Sequence, residues 1–368
     1  MNKKIRVLMI SHQVDRTGAP TSFLNILKKL YNKKEYVLDV ISVRGGKLAD
    51  EYYLYSNSMH ILNYNIKESI FQKVISFFKL LYLIQKSKAD IIIINTSVTL
   101  RANLASFLMR KPFIIYVRES ENMLNSRLGL LRKYSLKLAT EIISVSYYSK
   151  QWVRKYVNHN KINVIHNGID FSKLNYSLPL DHFNAEKVTI GIIGYMTKRK
   201  GFDYFAQIIN KLMNISEKYK FLIIGDFIDE NEKSIFFDSV KDYKNNILVT
   251  GIVENVYPEI NKCDLIVMTS REESLPRSVM EASLLSKPVV AFDIAGTKEM
   301  LPLNYDYLVS PFDINEFVDK TANLSKKNII KTIGEINRKY ITKNFSLDIT
   351  ISKIENILLK VVQDAKLK

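Results

Sequence analysis

Two carboxylates eight positions apart, Glu273 and Glu281, stand in a stretch that also holds Ser274, Leu275, Pro276 and Arg277. A carboxylate accepts hydrogen bonds in pairs, so one in a loop and one on the helix behind it can face a single polar ligand. Vicinal diols, such as those of a ribose or a hexopyranose, suit such a pair. Pro276 fits the first position of a helix that then carries Val279, Met280, Ala282, Leu284 and Leu285. The free backbone N–H groups of that helix start, near Leu275 to Ser278, offer an anion site for a diphosphate. Two glutamates at this spacing alone favour a plainer reading, a surface loop followed by an ordinary amphipathic helix.

The flanking runs say what positions the pair. Leu265–Met268 and Pro288–Phe292 have the length and bulk of buried parallel strands. The unit therefore reads strand, loop, helix, strand. Ligands of open α/β sheets sit beyond the carboxyl ends of the strands, which is where Glu272, Glu273, Ser274 and Arg277 stand.

The N-terminal half repeats the alternation. Candidate strands are Arg6–Ser11, Tyr36–Ser42, Asp90–Asn95, Pro112–Val117, Glu141–Val145 and Asn163–His166. Helical patterns fall at about Pro20–Leu30, Lys67–Lys86, Leu100–Met109, Arg127–Ala139 and Ser146–Tyr156. That order predicts an α/β fold with a doubly wound parallel sheet. Gly18 lets backbone approach a ligand after the first strand, and Pro20 suits the first helical position. No Gly-x-Gly-x-x-Gly follows that strand, which weighs against a dinucleotide oxidoreductase.

At 368 residues and 42.7 kDa the chain suits two domains. No apolar run approaches the roughly 18 residues of a membrane span. Arg6 interrupts the first apolar run, which reads as a strand and not as a leader. A single cysteine, Cys263, excludes an internal disulfide and fits a reducing cytosol. No His/Cys cluster has metal-ligand spacing. The net charge of +17 is lopsided, since residues 1–170 hold 27 Lys and Arg against 11 Asp and Glu. That asymmetry implies an anionic partner for the N-terminal half. Nucleic acid lacks any recognisable motif here. An anionic membrane surface fits better, because Lys67 to Lys88 joins five lysines to Phe71, Val74, Ile75, Phe78, Leu81 and Tyr82. The plainer counterpart is a core-packed helix with a solvated lysine face.

Read whole, residues 269–300 resemble retaining glycosyltransferases of the GT-B fold, especially glycosyltransferase family 4 (glycosyl transferases group 1). Their Glu, seven residues, Glu-Ala and Pro-Val signature stands here as Glu273-Ser-Leu-Pro-Arg-Ser-Val-Met-Glu281-Ala282, then Lys287-Pro288-Val289. Further matches are Ser144-Val-Ser146 with Lys150, Asn167-Gly168-Ile169-Asp170, Lys200-Gly201, Gly225-Asp226 and the strand ending at Gly251. The chain departs from the family at Ser274-Leu275, which replaces an aromatic-Gly pair, and at Arg118-Glu119, which replaces His-Asp. It departs again at Tyr195, which replaces an arginine whose charge Arg199 can supply. Arg118 can serve a phosphate or an acidic acceptor, or it can be half of an Arg–Glu surface pair.

The resemblance implies two Rossmann-like doubly wound domains, residues 1–175 and 176–345, with an interdomain cleft for a nucleotide-sugar. Residues 346–368 are expected as a helix crossing back to the first domain. Glu281 would bind ribose hydroxyls and Glu273 the sugar ring. Lys200 and Arg199 would neutralise the leaving diphosphate. Gly18, Ser274, Leu275, Pro276, Arg277, Gly194 and Gly251 would complete the donor site, and Arg118, Glu119 and His12 would lie on the acceptor side. The donor would be a UDP-, GDP- or dTDP-linked sugar. The acceptor would be a glycan or lipid-linked precursor of a surface polysaccharide such as capsule or O-antigen. Neither a metal nor another cofactor is implied, nor a separate catalytic base. The expected place is the cytoplasm, peripherally on the inner face of the cell membrane, with no nucleic acid bound. Two other readings stay open: a non-hydrolysing sugar-nucleotide epimerase, and a non-catalytic sugar-nucleotide-binding partner of another transferase.

Overall fold

The structure, a computed structural model, describes residues 4–63, 69–124, 129–171 and 187–367. It divides into two compact units, residues 1–170 with 347–368, and residues 171–346. The loose segment expected at Phe171 to Lys187, and the domain boundary placed within it, fall almost wholly at 172–186, outside the described residues. So do the first residues of the patterns beginning at Lys67 and Arg127.

In the first unit the chain alternates β1 (Ile5–Ser11), α1 (Gly18–Tyr31), β2 (Tyr36–Ser42), α2 (Ala49–Leu54), β3 (Ser58–Ile61) and α3 (Ile70–Ser87). It continues through β4 (Ile91–Ile94), α4 (Leu100–Leu108), β5 (Phe113–Val117), α5 (Gly129–Ser135), β6 (Glu141–Ser144), α6 (Tyr147–Val153) and β7 (Ile162–Val164). The strands are parallel throughout, in the order β3-β2-β1-β4-β5-β6-β7. β4 is four isoleucines, all buried, which only a strand covered on both faces can accommodate. After β3 the chain returns to the far side of β1, so the loops after β1 and β4 part and leave a crevice at their carboxyl ends.

The second unit runs β8 (Val188–Ile193), α7 (Phe202–Ile215), β9 (Tyr219–Ile224), α8 (Glu230–Ser239), β10 (Ile247–Val249) and α9 (Tyr257–Asn261). β11 (Leu265–Met268), α10 (Arg277–Leu284), β12 (Val289–Phe292), β13 (Leu308–Val309), α11 (Ile314–Leu324) and α12 (Lys327–Asn344) follow. Its parallel order, β10-β9-β8-β11-β12-β13, reverses between β8 and β11. Both doubly wound sheets expected from the sequence are thus present. The last helix, α13 (Leu347–Lys366), packs with the first unit. Leu347 N–H donates to the Ile169 carbonyl at 2.9 Å, the Thr350 hydroxyl to that of His166 at 3.0 Å, and Lys360 pairs with Glu141 at 2.8 Å.

Local detail differs from expectation where the periodic signal is weak. β3 is short and half-buried along its length, and β13 is only Leu308-Val309, too short an apolar pair to read as a strand. α1 begins at Gly18, so Pro20 is its third residue and not its first. Pro276 is the N-cap of α10, in extended conformation, one position before the helix it was expected to open.

Candidate active site

The reversal in the second sheet sets two loops side by side, Gly194–Gly201 after β8 and Thr269–Pro276 after β11. Glycine is required where they close. Gly201 has φ +73°, and a Cβ there would lie 2.0 Å from the Thr269 carbonyl oxygen. Gly225, at the end of β9, has φ +139° and would place a Cβ 2.2 Å from the Gly194 carbonyl oxygen. With no side chains in the way, the Thr269 hydroxyl donates to the carbonyls of Lys200 and Gly201 at 3.0 and 3.1 Å.

This closure brings together three of the sequence-predicted residues. Lys200 Nζ lies 2.7 Å from Glu273 Oε1, and Arg199 Nη1 lies 3.0 Å from the same oxygen. Ser270 Oγ donates to it at 3.3 Å. Burial would raise the Glu273 carboxyl, but Lys200 and Arg199 outweigh it and hold the group below the usual carboxylate range. The three donors all meet Oε1. The aliphatic end of Lys200 passes over Gly194, where a Cβ would lie 3.4 Å from Lys200 Cε.

A second bridge, not foreseen from sequence, fastens the loops from outside. Arg271 grips Asp203 through both of its Nη atoms, at 2.8 and 2.7 Å. It also donates to the Lys198 carbonyl at 2.6 Å, and its guanidinium lies 4.0 Å from the Tyr204 ring centroid. The Arg271 N–H donates to the Arg199 carbonyl at 2.8 Å. Burial opposes ionisation of Asp203, yet Arg271 and Lys198 draw its carboxyl down to about 2. Arg271 lies two residues before Glu273, but its partner is fixed only by strand order, which no spacing rule reveals.

Glu281 does not join this cluster. It is buried on α10 and accepts from Arg277 Nε at 2.7 Å, one helical turn away. Burial works against the Arg277 charge, and Glu281 restores it and raises the guanidinium. The hydroxyl of Ser274 and one oxygen of Glu272 are buried without a partner among the described residues. Leu275 is buried, and the cap of α10 supplies no side-chain hydrogen bond to the first-turn N–H groups. Gly251 has φ +71° with open space around it, and Gly18 is likewise uncrowded. Among the described residues no group of three or more His, Cys, Asp or Glu could hold a metal ion.

The residues expected on the acceptor side lie in the first unit, at the carboxyl ends of β1 and β5. Arg118 and Glu119 are not the surface pair their adjacency allowed. Glu119 is buried and turned to Ser97, accepting its hydroxyl at 2.6 Å and its N–H at 3.2 Å. Burial raises its carboxyl despite these bonds. Arg118 Nε donates to Asn95 Oδ1 at 2.9 Å, Nη1 donates to Asn167, and Nη2 is buried without a partner among the described residues. Burial depresses the Arg118 guanidinium. His12, with a buried unpartnered Nδ1, is pushed down to about 4 by burial and then by the charges of Arg44 and Arg118.

Comparison with known proteins places these features in a family. A relative in Escherichia coli, UDP-Gal:alpha-D-GlcNAc-diphosphoundecaprenol alpha-1,3-galactosyltransferase, is 21% identical over 80% of this chain and 81% of its own. The capsular polysaccharide biosynthesis glycosyltransferase CapH of Staphylococcus aureus is 22% identical over 96% of this chain and 99% of its own. The structure of Anabaena HepE in complex with UDP and glucose superposes with a TM-score of 0.81 at 19% identity, covering 96% of this chain and 99% of that one. That likeness shows the fold, GT-B. The family models Glycosyltransferase Family 4, over residues 16–173, and Glycosyl transferases group 1, over residues 187–327, together match most of the chain, and it belongs to this family of glycosyltransferases.

Proposed function

We propose that the chain is a retaining, metal-independent hexosyltransferase. It takes its sugar from a nucleotide-sugar and delivers it to a lipid-linked precursor of a surface polysaccharide, at the cytoplasmic face of an anionic membrane. One observation carries the reading: two cations converge on a partly buried carboxylate where the strand order reverses. In this reading Lys200 and Arg199 face the donor's diphosphate as well as Glu273, and stabilise the charge that develops as the glycosidic bond breaks. Glu273 keeps Oε2 for hydroxyls of the sugar ring, whose anomeric centre becomes oxocarbenium-like. Glu281, held by Arg277, takes the ribose hydroxyls, and the uncapped start of α10 takes a diphosphate oxygen. Gly194 and Gly251 leave room for donor atoms beside the backbone. The departing diphosphate accepts the acceptor's proton, so no side chain is assigned as base.

The relatives support the substrate classes. HepE is described in complex with UDP and glucose, and the E. coli relative is named for UDP-Gal and a diphosphoundecaprenol acceptor with an alpha linkage. The alpha linkage in that name is the product that retention gives from an alpha-linked donor. CapH is named for capsular polysaccharide.

A panel of UDP-, GDP- and dTDP-sugars, scored by thermal shift and by slow nucleotide release without acceptor, tests the reading. One donor is expected to stabilise the fold by mass action and to release nucleotide with a chelator present. Lys200→Ala and Glu273→Ala are each expected to lower transfer about 10²–10³-fold. Full activity in both variants would remove the site assignment. Stabilisation without release, even with membrane extract added, would favour the non-catalytic binding partner. That reading draws on Arg118, which is tied to two asparagines where the family carries a histidine.

A further inference from the structure

In the first unit α3 packs against α4 and α4 against α5. The inner side of α3 is spent on the core, where Leu80, Leu83 and Ile84 are buried and Phe77 packs against them. Its outer side is apolar as well. Phe71 is 74% exposed, Phe78 64% and Tyr82 61%, with Val74 and Ile75 also exposed between them. Positions 71, 74, 75, 78 and 82 recur at helical spacing, so this helix carries a second apolar stripe facing away from its core. The neighbouring helices continue it: Phe107 and Leu108 close α4, Leu130, Leu131 and Tyr134 stand on α5, and all five are more than half exposed. Scattered exposed apolar side chains are ordinary, but a face of this extent across three helices marks an interaction surface.

Charge identifies the occupant. α3, α4 and α5 contain not one Asp or Glu; Lys73, Lys79 and Lys86 of α3 are exposed and Arg101 and Arg132 half-buried, while Lys133 is buried near Glu121 and takes no part. A second copy of the chain would set two such cationic faces against each other. An anionic bilayer offers both what the rings need and what the lysines need.

We infer that the face formed by α3, α4 and α5 is a membrane-docking surface that lies on anionic lipid. Its rings sink to the acyl boundary while its lysines meet the headgroups. No helix among the described residues is long and apolar enough to cross a membrane, and this face needs none. The inference locates the membrane attachment named under the proposed function and rests on that reading.

The full chain is to be floated with vesicles of phosphatidylcholine alone and of phosphatidylcholine with phosphatidylglycerol in equal parts. Binding is expected to the mixed vesicles and to weaken in high salt. F71A/F78A/F107A and, separately, K79Q/K86Q, whose lysines flank the apolar stripe, are each expected to lower partitioning roughly tenfold or more. These side chains lie outside the core, so thermal unfolding of the variants stays near that of the parent. Absence of binding, equal binding to neutral vesicles, or full binding by the alanine variant would overturn the inference. Self-association without lipid that the alanine variant abolishes would give the face to a second copy and also overturn it. Nucleotide release from a soluble donor needs no vesicle. Release without vesicle binding therefore rejects the docking face alone, and vesicle binding without any donor response rejects the transferase reading alone.

Discussion

At the turning point of the second sheet Lys200 and Arg199 are met by Glu273, and Arg271 by Asp203. At the turning point of the first, His12 feels the charges of Arg44 and Arg118, while Glu119 is turned away to Ser97. The two sheets are wound alike, so winding alone does not decide how a site is furnished. One end is cross-braced before any ligand arrives, which is what electrostatic preorganisation requires. The other keeps a buried imidazole nitrogen and a buried guanidinium nitrogen without partners among the described residues. Such groups cost desolvation that a ligand bringing an acceptor oxygen would relieve.

The sharpest test of this contrast is acid stability. His12 is held at about 4 in the fold against 6.5 for an unperturbed histidine. Between those values the unfolded chain binds a proton that the folded chain refuses. Stability from this residue is therefore complete above pH 6.5 and is lost as pH falls towards 4. The full loss is about 3 kcal/mol. Urea unfolding at pH 7 and pH 4.5 should show most of it, and His12→Asn should flatten the difference. An imidazole that titrates near its ordinary value by NMR would show that the first unit's end is not strained at all.

Arg271→Ala attacks the braced end. It leaves Asp203, which is three-quarters buried, with only Lys198 as a charged partner among the described residues, and it removes the side-chain bond to the Lys198 carbonyl while the backbone bond to Arg199 remains. The expected cost is about 2 kcal/mol of stability. Transfer should fall about tenfold, since Glu273 and its cations lose register. Arg271→Lys should recover little, because an ammonium cannot reproduce the two-pronged grip. Equal rescue by lysine would mean that charge, not geometry, fastens these loops.

How far this contrast could be read in advance depended on the kind of signal. Glu273, Glu281, Lys200 and Arg199 stand in local motifs, so they could be singled out from spacing and resemblance. Their meeting could not, because Lys200 and Glu273 are 73 residues apart and are joined by the adjacency of β8 and β11. The same adjacency hides the Arg271–Asp203 bridge. Arg118-Glu119 misled in the opposite way: neighbours in sequence point to opposite environments at a strand end, where successive side chains alternate. Long buried strands were legible as apolar runs, whereas β3 and β13 are held by pairing more than by composition.

The smallest predicted effect is the most discriminating for the braced end. Ser270 donates to Glu273 Oε1 at 3.3 Å, longer than the 2.7 and 3.0 Å contacts of Lys200 and Arg199. If the carboxylate is held by the two cations, Ser270→Ala removes one neutral bond among three and should cost about 0.5–1 kcal/mol of stability. Transfer should stay within about fivefold of the parent, against 10²–10³-fold for Lys200→Ala. Steady-state kinetics on the two variants in parallel reads the ratio directly. Comparable losses would mean that Glu273 is aimed by directional hydrogen bonding, with the cations as bystanders, and the cross-braced end would then owe its order to the loop backbone.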